Sequence, residues 1–419
     1  MLYHCDRLGP FAMETLLFPI TLAVIIIALR HLWPRDKKKA TAKHTDPKKQ
    51  RLLDDQDGAI DAYTNIDPLF AFDWAKTKPL PIRPFKPKYH LTMALENMPL
   101  SELVAMDNTY LDRIRLRRQI MTDHPEATLA CDPAAEAAVY EFYTWMIGTY
   151  LPRRLPACYT LLSSINSSNE KQTDTPQLLN KITNELIPLQ PSSALSALQT
   201  LGAQIDTDFL ILLPRPNTNT NPPLSPEECQ TQPIYHLSAF TTTFPSGFST
   251  LSKLNLPLSA IHAPVPSYNT KLEKSMDRFF ARLEVGRAVR RANWTVTTHD
   301  KLFTEGGTHL YAGDSANETA KTMDPTSPDE EVEKQKRDVV IENCRLRSER
   351  QTLHRLPETK ALVFGFKTYL CTLEEVKEDG DGPALAEAID GLRKGSVPEM
   401  EYYKRGVVWG EKVKEYLRS

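Results

Sequence analysis

Four arginines and a glutamate fall within the eleven residues Arg345–Arg355, and the apolar run Ala361-Leu362-Val363-Phe364-Gly365-Phe366 follows almost at once. No other feature constrains the fold as strongly. A segment joined so closely to a core element cannot lie far from the core, and Leu346, Leu353 and Leu356 interleave with its charges. Buried guanidinium groups need acceptors, because an unpaired buried charge is costly. The spacing predicts a helix over 337–356, stopped by Pro357, and then a strand over 361–370. A solvated face is the usual fate of such a charge run. The leucines and Glu349 set a buried, functional reading beside it.

Length and charge bound the rest. The 419 residues suffice for two ordinary domains or one elaborated one, and a net charge of -2 gives no electrostatic case for nucleic acid. Six cysteines are scattered without a C-x-x-C pair, so neither zinc nor iron–sulfur is encoded. Their wide spacing is that of reduced thiols.

Prolines and polar stretches divide the chain. Tyr63–Lys88 carries Pro68, Pro79, Pro81, Pro84 and Pro87, which forbids a long helix. Helices are expected over 100–121, 133–150 and 271–283, the second with Pro133 in its first turn. Strands are expected over 208–213, 234–244 and 293–298, where β-branched and aromatic residues concentrate. Residues 214–233 and 305–335 read as disordered insertions, the first proline-rich and the second acidic. Surface helices over 385–394 and 400–417 close the chain. Short strands mixed with helices, without regular alternation, make the class α+β.

Thr15–Leu29 carries no charge and, with its flanks, approaches the ~20 residues of a membrane span. Nine basic residues between Arg30 and Arg51 follow it, against Arg7 before it. Basic flanks stay on the cytosolic side. The expected organisation is a lumenal tip and single-pass anchor over 1–33, a charged tether over 34–62, and a domain over 63–419. That body faces the cytosol from a membrane such as the endoplasmic reticulum.

Within the domain, His262 sits between Ile261 and the stiff Ala263-Pro264-Val265-Pro266. A neutral imidazole on rigid backbone suits a metal centre, and a buried guanidinium cluster suits the anionic edge of a cofactor. Together they suggest a haem. A satisfied structural histidine is the plainer alternative for His262. His236 falls inside an expected strand, and His354 is flanked by arginines. His299 and His309 border a loop and are expected to be solvated.

Other catalytic patterns are missing: the sequence has no G-x-S-x-G, P-loop, G-x-G-x-x-G or H-E-x-x-H. Two D-x-D pairs, Asp206/Asp208 and Asp379/Asp381, make a membrane-anchored glycosyltransferase an alternative. The cytosolic basic flank argues against it.

Several blocks then occur in order. They are Pro87–Leu95, Phe244-Pro245-Ser246-Gly247-Phe248, Lys253-Leu254, Leu258–Pro266, Arg291-Ala292-Asn293-Trp294 and Leu346–Pro357. Over about residues 80–415 the chain resembles the α-subunit family of haem-dependent oxidative N-demethylases. The resemblance implies a Per-Arnt-Sim-like antiparallel sheet with flanking helices around haem b. It further implies NADPH-driven, O2-dependent removal of a methyl group from a small amine, with electrons from a flavin/iron–sulfur reductase partner. On that reading His262 is the iron ligand, and Trp294, Arg345 and Arg355 bind the cofactor. Arg347, Arg350 and Asn293 would act at the propionates, at dioxygen or at a pocket ligand. A non-enzymatic haem sensor on the same fold is the competing class.

Overall fold

The computed structural model describes residues 61–162, 176–216, 233–311 and 328–419. The chain separates into two units, Met1–Leu52 and Leu53–Ser419, and every described residue belongs to the second. The expected span over Thr15–Leu29 and the central parts of both expected insertions lie outside the described residues. Among the described residues, no helix is long and apolar enough to cross a membrane.

The strands, in chain order, are β1 (Glu96–Met98), β2 (Leu129–Cys131), β3 (Tyr159–Leu162), β4 (Gln177–Asn180), β5 (Glu185–Pro188), β6 (Asp208–Arg215), β7 (Ile234–Thr241), β8 (Ala288–Thr297), β9 (Arg345–Arg355) and β10 (Leu362–Thr372). Seven of them form one sheet in the order β1-β8-β9-β10-β6-β7-β2, and β3-β4-β5 form a small second sheet. Every pairing between these strands is antiparallel. The main helices are α1 (Tyr110–Asp123), α2 (Glu136–Trp145), α3 (Ala194–Gln204), α4 (Leu258–His262), α5 (Glu273–Arg282), α6 (Leu373–Glu378), α7 (Gly382–Lys394) and α8 (Gly406–Arg418). The class is α+β, as expected.

Residues 345–355 form a central strand, not the expected helix. β9 pairs with β8 on one side and with β10 on the other, so its backbone groups are satisfied along both edges. Arginine, glutamine and leucine favour helix only weakly, and tertiary pairing overrides that preference. Strand alternation then splits β9. Glu349, Gln351 and Leu353 share one face, and Arg350, Thr352 and His354 share the other.

Three further expectations change. α1 starts at Tyr110 and not at Leu100, because Asp107 bonds both Thr109 and Lys367 (Oδ2 to Nζ, 2.6 Å) and holds the preceding chain in a turn. Part of the acidic segment expected to be disordered is a helix, Pro328–Asp338, with Val332 packed on the core. The C-terminal helices α7 and α8 are not surface decoration. Their Ile389, Leu392, Trp409 and Val413 are buried in one cluster with Trp294, Val296 and Leu346 of the sheet. The four cysteines among the described residues are unpaired.

Candidate functional site

A cavity of about 300 Å³ lies between the sheet and the cover formed by α4 and α5, at the small end of the range for ligand pockets. Its floor is built from rows of the β8–β9 ladder: Asn293 opposite Glu349, Arg291 opposite Gln351, and Val289 opposite Leu353. Leu210, Leu212 and Phe364 widen that floor, and Tyr268, Leu272, Met276 and Phe280 of the cover close it with apolar surface.

His262 is on the wall, as the last residue of α4. Its Nδ1 lies 2.9 Å from the Leu258 carbonyl, one turn back, and its ring stacks on Tyr268 at 5.0 Å between centroids. Burial pushes its pKa down to about 4, the Leu258 bond opposes that shift, and Lys253 and Arg291 add to it. The imidazole is therefore neutral. With Nδ1 donating to a carbonyl, which cannot itself donate, Nε2 keeps its lone pair.

Asn293 also lines the cavity, and its Oδ1 accepts from Lys404 Nζ at 3.0 Å. His262 and Asn293 are thus brought together, and the other expected site residues are not. Trp294 points the opposite way from Asn293 and packs edge-on against Phe85, 5.6 Å between ring centroids. Arg345 donates to the Glu342 and Cys344 carbonyls, outside the cavity.

The buried arginines of β9 hold backbone. Arg347 donates to the Phe244 carbonyl (2.8 Å), the Pro245 carbonyl (3.1 Å) and the Leu302 carbonyl (3.2 Å). Arg355 donates to the carbonyls of Phe280, Leu283 (2.6 Å) and Lys360 (2.7 Å). These two share the cavity face of β9 and bracket it, eight positions or roughly 26 Å apart. Arg347 pins the loops at one end, and Arg355 pins the last turn of α5 at the other. Arg350 faces away and donates to the Glu102 and Leu103 carbonyls.

The cations of the cavity itself are Lys253, Arg290, Arg291 and Lys404. They were assigned no role from sequence alone, although Lys253 and Arg291 each head one of the blocks that carry the resemblance. Arg290 is paired with Glu96 (3.2 Å) and Glu102 (2.9 Å). Among the described residues Arg291 has no ion pair, and its buried Nε has no hydrogen-bond partner. Burial pushes Lys253 and Lys404 down to about 8, so both remain mostly protonated at neutral pH. Lys253, Arg291 and Lys404 face a single carboxylate, Glu349, which leaves a surplus of two positive charges (three minus one).

His309 corrects another expectation. It lines this same cavity instead of lying in solvent, with its ring centroid 4.5 Å from that of Tyr403. His354 and His236 do not line it. His354 Nδ1 lies 2.6 Å from the Tyr63 hydroxyl in the opposite core, and His236 Nδ1 contacts the Ile234 carbonyl at 3.2 Å. Among the described residues, no group of three or more metal-ligating side chains occurs.

Both D-x-D pairs are engaged by cations. Asp208 meets Arg117 at 2.8 Å and accepts from the Thr243 and Phe244 amides, and Asp206 meets Lys367 at 3.2 Å. Arg83 bridges Asp379 (3.1 Å) and Asp381 (3.2 Å). Carboxylates already paired in this way are not arranged to chelate a divalent ion for a nucleotide sugar.

Fold and cavity define the class: an α+β protein whose antiparallel sheet and helical cover enclose a cation-rimmed cavity with two neutral histidines. The chain belongs to the haem-dependent oxidative N-demethylase, alpha subunit-like family, whose model matches residues 94–414. The family's description supports haem as cofactor and an oxidative N-demethylase-like enzyme as the activity class.

Proposed function

We propose that the cavity holds haem b and that the chain is the haem-bearing component of an oxidative N-demethylase. One observation carries the reading: His262, a neutral imidazole whose Nε2 has no partner among the described residues, shares an apolar cavity with a two-charge cationic surplus. An iron porphyrin with two propionates matches both features, needing one strong nitrogen ligand and two counter-charges. His262 would ligate the iron, with the Leu258 carbonyl fixing its ring orientation. Arg291, Lys253 and Lys404 would meet the propionates by charge-assisted bonds.

Haem, when bound, supplies the oxidation chemistry, and the chain supplies position and a dry wall. The overall reaction consumes dioxygen, two electrons from NADPH and two protons. A methyl group leaves a small amine as formaldehyde, which keeps one oxygen atom, and the other oxygen becomes water. Electrons would come from a flavin/iron–sulfur reductase, since no flavin or cluster motif stands in this chain.

The strand order supports a Per-Arnt-Sim-like sheet. Numbered along the chain from β6, the five long strands read second-first-fifth-fourth-third from β7 to β8. We further propose that Thr15–Leu29 anchors the protein with its body in the cytosol, where an NADPH reductase has access.

An absorption spectrum of the full chain reconstituted with haem tests the site, and a missing Soret band would reject it. Formaldehyde release that requires amine, NADPH and an added reductase tests the reaction. A haem spectrum without such release would favour the sensor class.

A further inference from the structure

Among the cavity groups that the haem reading leaves without a role is a second histidine, His309. Its place is built with care. Arg347 clamps the chain at Phe244–Pro245 to that at Leu302. Gly247, at φ 75°, lets the two segments meet, since an added Cβ there would stand 1.6 Å from Thr308 Oγ1. The Gly247 amide donates to the Thr304 carbonyl at 2.7 Å, and the Leu310 amide to the Tyr403 carbonyl at 3.1 Å. His309 is thus fixed from both sides.

Its protonation follows from its neighbour. Thr308 is buried, with 2% of its surface exposed, and its Oγ1 lies 3.1 Å from His309 Nδ1. No other hydrogen bond of that hydroxyl occurs among the described residues. If the hydroxyl accepted there instead, its own buried O–H would lack an acceptor among the described residues. The Thr308 hydroxyl therefore donates to Nδ1, which places the ring hydrogen on Nε2. Burial pushes the His309 pKa down to about 3, with Lys404 and Lys253 adding to the shift, so the ring is neutral. It presents one N–H donor, unpartnered among the described residues, to the cavity that His262 also lines.

We propose that His309 is a specificity-determining group for the exchangeable ligand of the cofactor. His262 supplies the permanent nitrogen bond, and His309 Nε2–H donates to the small, lone-pair-bearing molecule at the open coordination position. The two histidines are not interchangeable, because one is set as an acceptor through Leu258 and the other as a donor through Thr308. This rests on the haem reading.

The test uses ferric holoprotein and azide as the probe. His309→Leu should leave the unliganded spectrum unchanged and weaken azide binding about tenfold, the loss of one hydrogen bond to a charged ligand, chiefly through faster dissociation. Thr308→Val should weaken it less, since the ring stays but the tautomer is no longer set. His299→Leu, outside the cavity, should match wild type. Apoprotein melting curves check that each variant is folded. Unchanged azide affinity in a folded His309→Leu would overturn the inference. So would a low-spin to high-spin change in its unliganded spectrum, which would make His309 a second permanent ligand. Absence of a Soret band in the wild type would reject the haem reading itself, and this inference with it.

Discussion

His262 Nδ1 lies 2.9 Å from the Leu258 carbonyl, one turn earlier in the same short helix, so the ring is oriented by the element that carries it. Its orientation survives without a cofactor. His262→Ala should therefore leave a folded apoprotein that takes up haem more than roughly 100-fold more weakly, since even the outer partners of a metal ligand cost up to that factor. Haem titration followed at the Soret band measures it. His236→Ala should titrate like wild type. Equal affinities for the two variants would move the ligand elsewhere.

Arg291 and Arg350 separate cofactor binding from stability. Arg291→Leu removes a cavity cation that has no ion pair among the described residues and whose buried Nε is unpartnered there, so haem affinity should fall about tenfold or more, the worth of a charge-assisted bond. The apoprotein should melt no lower than wild type. Arg350→Leu strands the Glu102 and Leu103 carbonyls and should cost the apoprotein about 1–3 kcal/mol. Urea melts of both apoproteins, with haem titrations, decide the matter. The opposite pattern would return Arg350 to the cofactor.

Asp208→Asn should destabilise the fold by about 3–5 kcal/mol, because it leaves the buried Arg117 guanidinium without its carboxylate. Manganese should not change the melting temperature of the wild-type apoprotein. A clear manganese-dependent rise would revive the D-x-D metal reading.

Acid should unfold the protein through its histidines. Burial pushes the His354 pKa down to about 3, whereas an unfolded histidine titrates near 6.5. Below about pH 6.5 the unfolded chain binds a proton that the folded chain refuses, so stability falls with pH until about pH 3. Between pH 7 and pH 5, His354 alone should remove about 2 kcal/mol. His262 and His309 act in the same direction. Urea midpoints at the two pH values should differ less for His354→Gln than for wild type. An equally steep loss in the variant would exonerate His354.

The sequence was legible where local pattern and tertiary structure agree. DFLILL at 208–213, the β-branched run at 234–244 and the apolar run after Pro357 all became strands, and Leu272, Met276 and Phe280 face inward as their helical spacing predicts. The Arg345–Arg355 run misled because its arginines bond carbonyls distant in sequence, which no local pattern reveals. Arg290 and Arg291 are adjacent and both reach the cavity, yet only Arg290 meets glutamates there, a difference that depends on chain distant in sequence. The sequence around His309, beside Gly306-Gly307, suggested solvent. The block Phe244–Phe248 held the missed signal, since a glycine between Ser246 and Phe248 implies a close backbone approach.

The alternation in β9 has a consequence for how this protein can change over time. Glu349, Gln351 and Leu353 shape the cavity, while Arg350 and His354 bond groups of the opposite layer. Point substitutions on the first set can alter what the cavity accepts without loosening the foundation. A one-residue insertion or deletion between Arg347 and Arg355 cannot, because it would turn every following side chain to the other face. Lineages derived from such a chain should therefore diversify at alternate positions of this strand while its length stays fixed.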